Sequence, residues 1–161
     1  MKALLLGAAL SALASAALAQ EETTMTLEEV PQAAMDAAMA QLTEAGITAT
    51  LDTVATDDDE GTMTYELSGT MEDGMTVEVD VLEDGTFEEL EREIAMDALP
   101  PEVVAALEQE LPGFQPTTLE ESTRPDGAVI YEFEGTHEGQ EIDAEIQADG
   151  TGFMQNEDTA G

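Results

Sequence analysis

The chain has 161 residues, with 38 acidic side chains against three basic ones, a formal net charge of −35 at pH 7 and no cysteine. So acidic a balance excludes nucleic acid and anionic lipid as partners, because both are bound through lysine and arginine. The missing cysteine excludes disulfides and a cysteine-borne lipid anchor.

In chain order, the first segment is an address. Met1-Lys2 gives a positive start, Ala3 to Ala16 is an apolar run, and Ala17-Leu18-Ala19 before Gln20 forms an A-x-A cleavage site. The run is too short and alanine-rich for a membrane span, so residues 1–19 read as a Sec-type signal peptide cleaved after Ala19, with a periplasmic or secreted product and no membrane insertion of the mature chain. Cleavage removes Lys2 and leaves Arg92 and Arg124 against 38 carboxylates, a net −36. Such a surface is ordinarily a solvating one; it also supplies a field that steers a basic partner or divalent cations. Residues 20–29 are a polar, flexible N-terminus.

Residues 30–94 form the first unit. A helix starts near Pro31, carries Ala34, Met35, Ala38, Met39 and Leu42 on one stripe and ends at Gly46. Ile47, Ala49 and Leu51 alternate with threonines and make a strand. Asp57, Asp58, Asp59 and Glu60 then precede Gly61. Four adjacent carboxylates suggest calcium, but a calcium loop of the EF-hand type alternates its ligands and ends on a distant Glu, so a solvated hairpin loop is the plainer reading and weak calcium binding the alternative. Met63, Tyr65 and Leu67 form the next inward face, and Met75, Val77, Val79 and Val81 the one after it, joined through Glu72-Asp73-Gly74. Asp84-Gly85 turns into Thr86–Ile94, ambiguous between a strand and a helical turn.

Residues 95–154 form the second unit. Pro100 and Pro101 suit the opening of a helix, and Glu102 its positive dipole end. Val103, Val104, Leu107 and Leu111 give the apolar stripe, and Pro112-Gly113 the stop. After a polar break, Val129, Tyr131 and Phe133 alternate with Ile130, Glu132 and Glu134, and Ile142, Ala144 and Ile146 with Glu141, Asp143 and Glu145. Glu138-Gly139 and Asp149-Gly150 supply the turns. Residues 155–161 read as a disordered tail.

The two units align on their punctuation. Pro31 maps to Pro100 at a spacing of 69, Tyr65 to Tyr131 and Gly69 to Gly135 at 66, and Gly74 to Gly139 and Gly85 to Gly150 at 65. The slippage falls in the loop after the helix, where insertions cost little. The fold class is therefore α+β: two tandem repeats, each one helix followed by a three- to four-stranded antiparallel meander, with Thr86–Ile94 a strand by register. A unit of roughly 65 residues has a marginal core. The two should therefore pack into one body, as by joining their sheets edge to edge.

The run LPPEVVAALEQELPG, the YEFEG strand, the hairpin and the strand ending in Asp149-Gly150, in a small acidic chain with an export signal, resemble the PepSY-like domains. These are relatives of the peptidase propeptide domain, with an architecture similar to beta-lactamase-inhibitor proteins. The resemblance spans about residues 30–155 as two units. It implies binding or inhibition of a protein partner and brings no catalytic residue with it.

The residues themselves carry no catalytic constellation. No G-x-S-x-G, H-E-x-x-H, Walker or dinucleotide fingerprint occurs, and His137, the one histidine, sits beside a hairpin turn as a surface residue would. The expectation is a non-enzymatic, inhibitor-like binding module without cofactor that regulates a protease or another envelope protein. The alternative is a low-affinity calcium or divalent-cation buffer holding its ion at Asp57, Asp58, Asp59 and Glu60. Glu66, Glu132, Glu134 and His137 are the candidate partner-binding residues, expected to point outward between the inward-facing positions.

Overall fold

The computed structural model describes residues 25–59 and 61–157; the expected signal peptide lies outside them. Two helices, α1 (Gln32–Glu44) and α2 (Pro101–Glu110), accompany eight strands: β1 (Ala49–Asp59), β2 (Thr62–Met71), β3 (Thr76–Leu82), β4 (Phe87–Glu93), β5 (Gln115–Thr123), β6 (Val129–His137), β7 (Gln140–Gln147) and β8 (Met154–Glu157). They form one sheet in the order β1 to β8, every neighbour antiparallel. Near the middle of the sheet β4 pairs with β5.

Each half has its own core. In the first, Ala34, Ala38 and Leu42 of α1 pack on Tyr65, Leu67, Val77, Val79, Val81 and Leu90. In the second, Val103 and Leu107 of α2 and Leu111 just after it pack on Tyr131, Phe133, Ile142, Ala144 and Ile146. Residues directly opposite on paired strands share a face. The row Val77, Arg92, Glu121, Tyr131 runs from one core to the other, so both helices cover the same face. Met39 departs from its expected stripe and is 48% exposed. At period 3.6 the buried triplet Ala34, Ala38, Leu42 leaves it at the edge of the apolar face.

The two halves share a local feature. Strands β1 and β5 each shift register, between Leu51 and Thr53 and between Pro116 and Thr118. Beside each shift lies a glycine whose place admits no side chain: a Cβ on Gly69 would sit 2.2 Å from the Thr50 carbonyl, and one on Gly135 2.3 Å from that of Gln115.

Three expectations are corrected. The polar break after Gly113 is β5, a central strand. Its β-branched threonines suit extended backbone, and Pro116 is tolerated because it sits at the register shift. The acidic cluster is no loop: Asp57, Asp58 and Asp59 lie in β1 opposite Thr64, Met63 and Thr62, and the Asp58 carboxylate accepts the Gly61 amide at 2.8 Å. Gly61, at φ 88°, precedes β2. Residues 155–157 of the expected tail belong to strand β8: Gln155 to Glu157 pair with Ala144, Asp143 and Ile142 and complete the ladder of β7.

Tyr65 and Tyr131 are both core residues, 7% and 6% exposed. Truncating either to Ala should cost about 3–5 kcal/mol in urea unfolding. Tyr131→Phe, losing the hydroxyl that donates to Glu121 at 3.1 Å, should cost a smaller, separate increment. A silent Tyr131→Ala would contradict this register.

Candidate functional site

The face away from the helices follows from the same alternation. Where Tyr65, Val79, Leu90, Phe133 and Ile146 point to the core, their neighbours point out, and those neighbours are mostly acidic. Register aligns them in rows. Glu66 of β2 lies opposite Asp80 of β3, which lies opposite Glu89 of β4; Glu78 lies opposite Glu91. Glu93 of β4, Glu120 of β5, Glu132 of β6 and Glu145 of β7 make another row, and Glu134 faces Asp143. Cβ atoms so paired stand roughly 4.5–5.5 Å apart, and like charges at that distance repel.

At the centre the side chains converge. Ser122 of β5 is fully buried, and its small side chain leaves room above it. Carboxylate oxygens of Glu89, Glu91 and Glu132 lie within 4.8 Å of one another there. The Ser122 hydroxyl donates to Glu89, and Arg124 pairs with Glu89 and, at 3.5 Å, with Glu132. The other described arginine, Arg92, lies on the helix side and pairs with Glu121 at 2.6 Å.

Carboxylates held this close need cations or protons between them. Arg124 already serves Glu89 and Glu132, and the surroundings favour protons for the rest. Burial, then Glu89, Glu132 and other acids nearby, push Glu91 up to about 9. Burial and then Glu78, Glu66 and Glu89 raise Asp80 to about 8. Glu120, raised by burial and Glu134, and Glu132, raised by burial and then Glu89 and Glu145 against the pull of Arg124, both stand at about 7. Glu66, Glu89 and Glu145 are raised too, each by burial first. One oxygen each of Asp80 and Glu145 is shut off from solvent without a hydrogen-bond partner, an arrangement more tolerable for a neutral carboxyl than for an anion.

Of the expected binding residues, Glu66, Glu132 and Glu134 share this face, half-buried. His137 does not: it has the parity of Tyr131 and Phe133, and its Nε2 lies 3.2 Å from the Pro112 carbonyl just past α2. Counting by twos from Tyr131 shows this in the sequence. The convergence of Glu89, Glu91 and Glu132 carried no such signal, because it depends on β5 lying between their strands. Asp57 and Asp58 end β1 at the sheet edge, away from the convergence.

The family model of the peptidase propeptide and YPEB domain, PepSY_2, matches residues 3–91, more than half of the chain. The chain belongs to this family. No curated protein matches it. Among solved structures, this PepSY_2 chain is similar to a DUF2874 family protein from Bacteroides uniformis at a TM-score of 0.63 and 19% identity, covering 81% of this chain and 91% of that one. It is similar also to a BLIP-like protein from Bacteroides fragilis at 0.58 and 19%, covering 81% and 89%. A third, from Bacteroides eggerthii and assigned provisionally to the periplasm, gives 0.62 at 15% identity, covering 80% and 88%. At such identities the likeness is one of fold: a PepSY-like, BLIP-like α+β domain. Among the described residues no helix is long and apolar enough to cross a membrane.

The raised carboxylates link folding to pH. Their native state keeps protons that the unfolded chain gives up above a pH of about 4, so stability is greatest near that value and falls as pH rises through the native pKa values, about 7 for Glu120 and Glu132, 8 for Asp80 and 9 for Glu91. Each retained proton is worth roughly 1.4 kcal/mol per pH unit, about 3–6 °C of melting temperature for a domain of this size. Calorimetry should show Tm falling steadily between about pH 5 and pH 9, with a shallower fall in Glu91→Gln. A Tm independent of pH in that range would refute the assignment.

Proposed function

We propose that the protein is an exported, non-enzymatic PepSY binding module that takes a basic segment of an envelope protein on its acidic sheet face, acting by occupancy as an inhibitor or regulator does. The observation that carries this reading is the face itself: rows of carboxylates spanning β2 to β7, relieved by Arg124 alone among the described basic side chains. A surface of one sign attracts the opposite charge at long range, and buried carboxylates that lack a cation gain most from receiving one. The family description, which names a peptidase propeptide, and the BLIP-like relative support a protein as the occupant.

Surface plasmon resonance with a synthetic arginine-rich peptide tests it. Binding should weaken as sodium chloride rises. Glu132→Lys with Glu134→Lys should slow association at low salt by roughly tenfold or more. The exposed turn pair Glu72→Lys and Asp73→Lys, an equal change of charge, should do much less. Glu132→Gln with Glu134→Gln serves as the milder variant should the reversal disturb folding. Equal effects of the face and turn variants would overturn the reading. Saturable calcium binding in calorimetry, lost in Asp58→Asn and absent with magnesium, would put cation binding at Asp57–Glu60 in its place.

A further inference from the structure

We propose that the seam between β4 and β5 is a pH-sensitive hinge, closed when the carboxyls astride it hold protons and opened when they lose them. The seam is as thin as any ladder of the sheet, matched only by the edge pair β7–β8. Four register pairs, Leu90 with Thr123 through Glu93 with Glu120, join β4 to β5, whereas β5 to β6 has eight and β3 to β4 five. The apolar cores form two separate clusters, which reach the seam only through Leu90 and Phe87 of β4 in the first, and Leu119 of β5 and Ile94 just after β4 in the second. On the helix side a cleft of about 450 Å³ opens over it, lined by Gln41, Ile47, Phe87, Leu90, Thr123 and Pro125 among others. The side-chain bonds that cross it are polar: Arg92 to Glu121 on the helix side, and Ser122 and Arg124 to Glu89 on the other.

The acids are concentrated where this joint is weakest. Glu91 of β4 is faced by Glu89 on its own strand, by Glu78 and Asp80 from β3, by Glu120 from β5 and by Glu132 from β6. Arg124, the nearby cation, is engaged by Glu89 and Glu132. Neither helix contributes a charge on this side, since both cover the other face. With protons in place these carboxyls act as neutral neighbours; without them, negative charges gather on both sides of the seam, where Glu93 lies directly opposite Glu120. Each half keeps its own helix and core, so parting the seam costs four strand pairs, the bond from the Ile94 N–H to the Leu119 carbonyl and a few polar side-chain bonds, while most of both cores stays in place. Burial raises Glu91, Glu120 and Glu132 into the neutral to alkaline range, where the change would fall.

The chain has no cysteine, so spin labels can be placed at will. Met39→Cys on α1 and Gln109→Cys on α2, both exposed, report the distance between the halves by double electron–electron resonance. One narrow distribution is expected near pH 5.5, and a second, longer population growing toward about pH 9, reversible and with circular dichroism retained. Adding Glu91→Gln and Glu120→Gln should hold the narrow distribution at the higher pH. A distribution unchanged across this range overturns the hinge. So does a longer population that appears only together with loss of secondary structure, which would mean that the protein unfolds as a whole.

Discussion

The structure depends on a repulsion it does not avoid. A strand that buries alternate residues must turn the others to the far side, and in this chain those others are carboxylates on strand after strand. Glu66, Asp80 and Glu89 meet across three strands, and Glu93, Glu120, Glu132 and Glu145 across four. Placed directly opposite, like charges oppose strand pairing, and apolar burial on the helix side has to outweigh them. The small Ser122 and the single guanidinium of Arg124 relieve the tension locally, and protons relieve the rest.

Much of this architecture was legible beforehand, because period two is hard to disguise when the inward residues are Tyr, Phe, Ile and Val. The strands around Tyr65, Val79, Phe133 and Ile146, both helices and the turns at Gly74, Gly85, Gly139 and Gly150 stand where their spacing puts them. Strand β5 escaped because QPTTLEEST contains one strongly apolar residue, Leu119. Its helix-side neighbour Glu121 is held by Arg92 and Tyr131 instead of by apolar packing. Strand β8 escaped for a related reason: an edge strand needs a backbone partner more than an apolar face, and β7 supplies one.

The candidate site was legible only in part. That Glu66, Glu132 and Glu134 share a face follows from alternation. That Glu89 and Glu91 join Glu132 does not, because those side chains come from strands separated by β5, the very strand read as a break. His137 was misplaced by arguing from its nearness to a turn instead of from its parity with Tyr131. The solved relatives make the complementary point. At 15–19% identity they keep the fold, so the architecture does not demand this chain's particular side chains at most positions.

The strictly sequential order of the sheet bears on how the chain reaches this state. Each strand finds its partner in the segment just made or just about to be made, with a turn or one short helix between them. Contacts so local in sequence require little loop entropy to be lost before they form, which favours rapid folding for a β-rich protein. A chain emerging amino end first can close α1 over β1 to β4 before β5 is available. The second half then adds to an existing strand edge, which serves as its template.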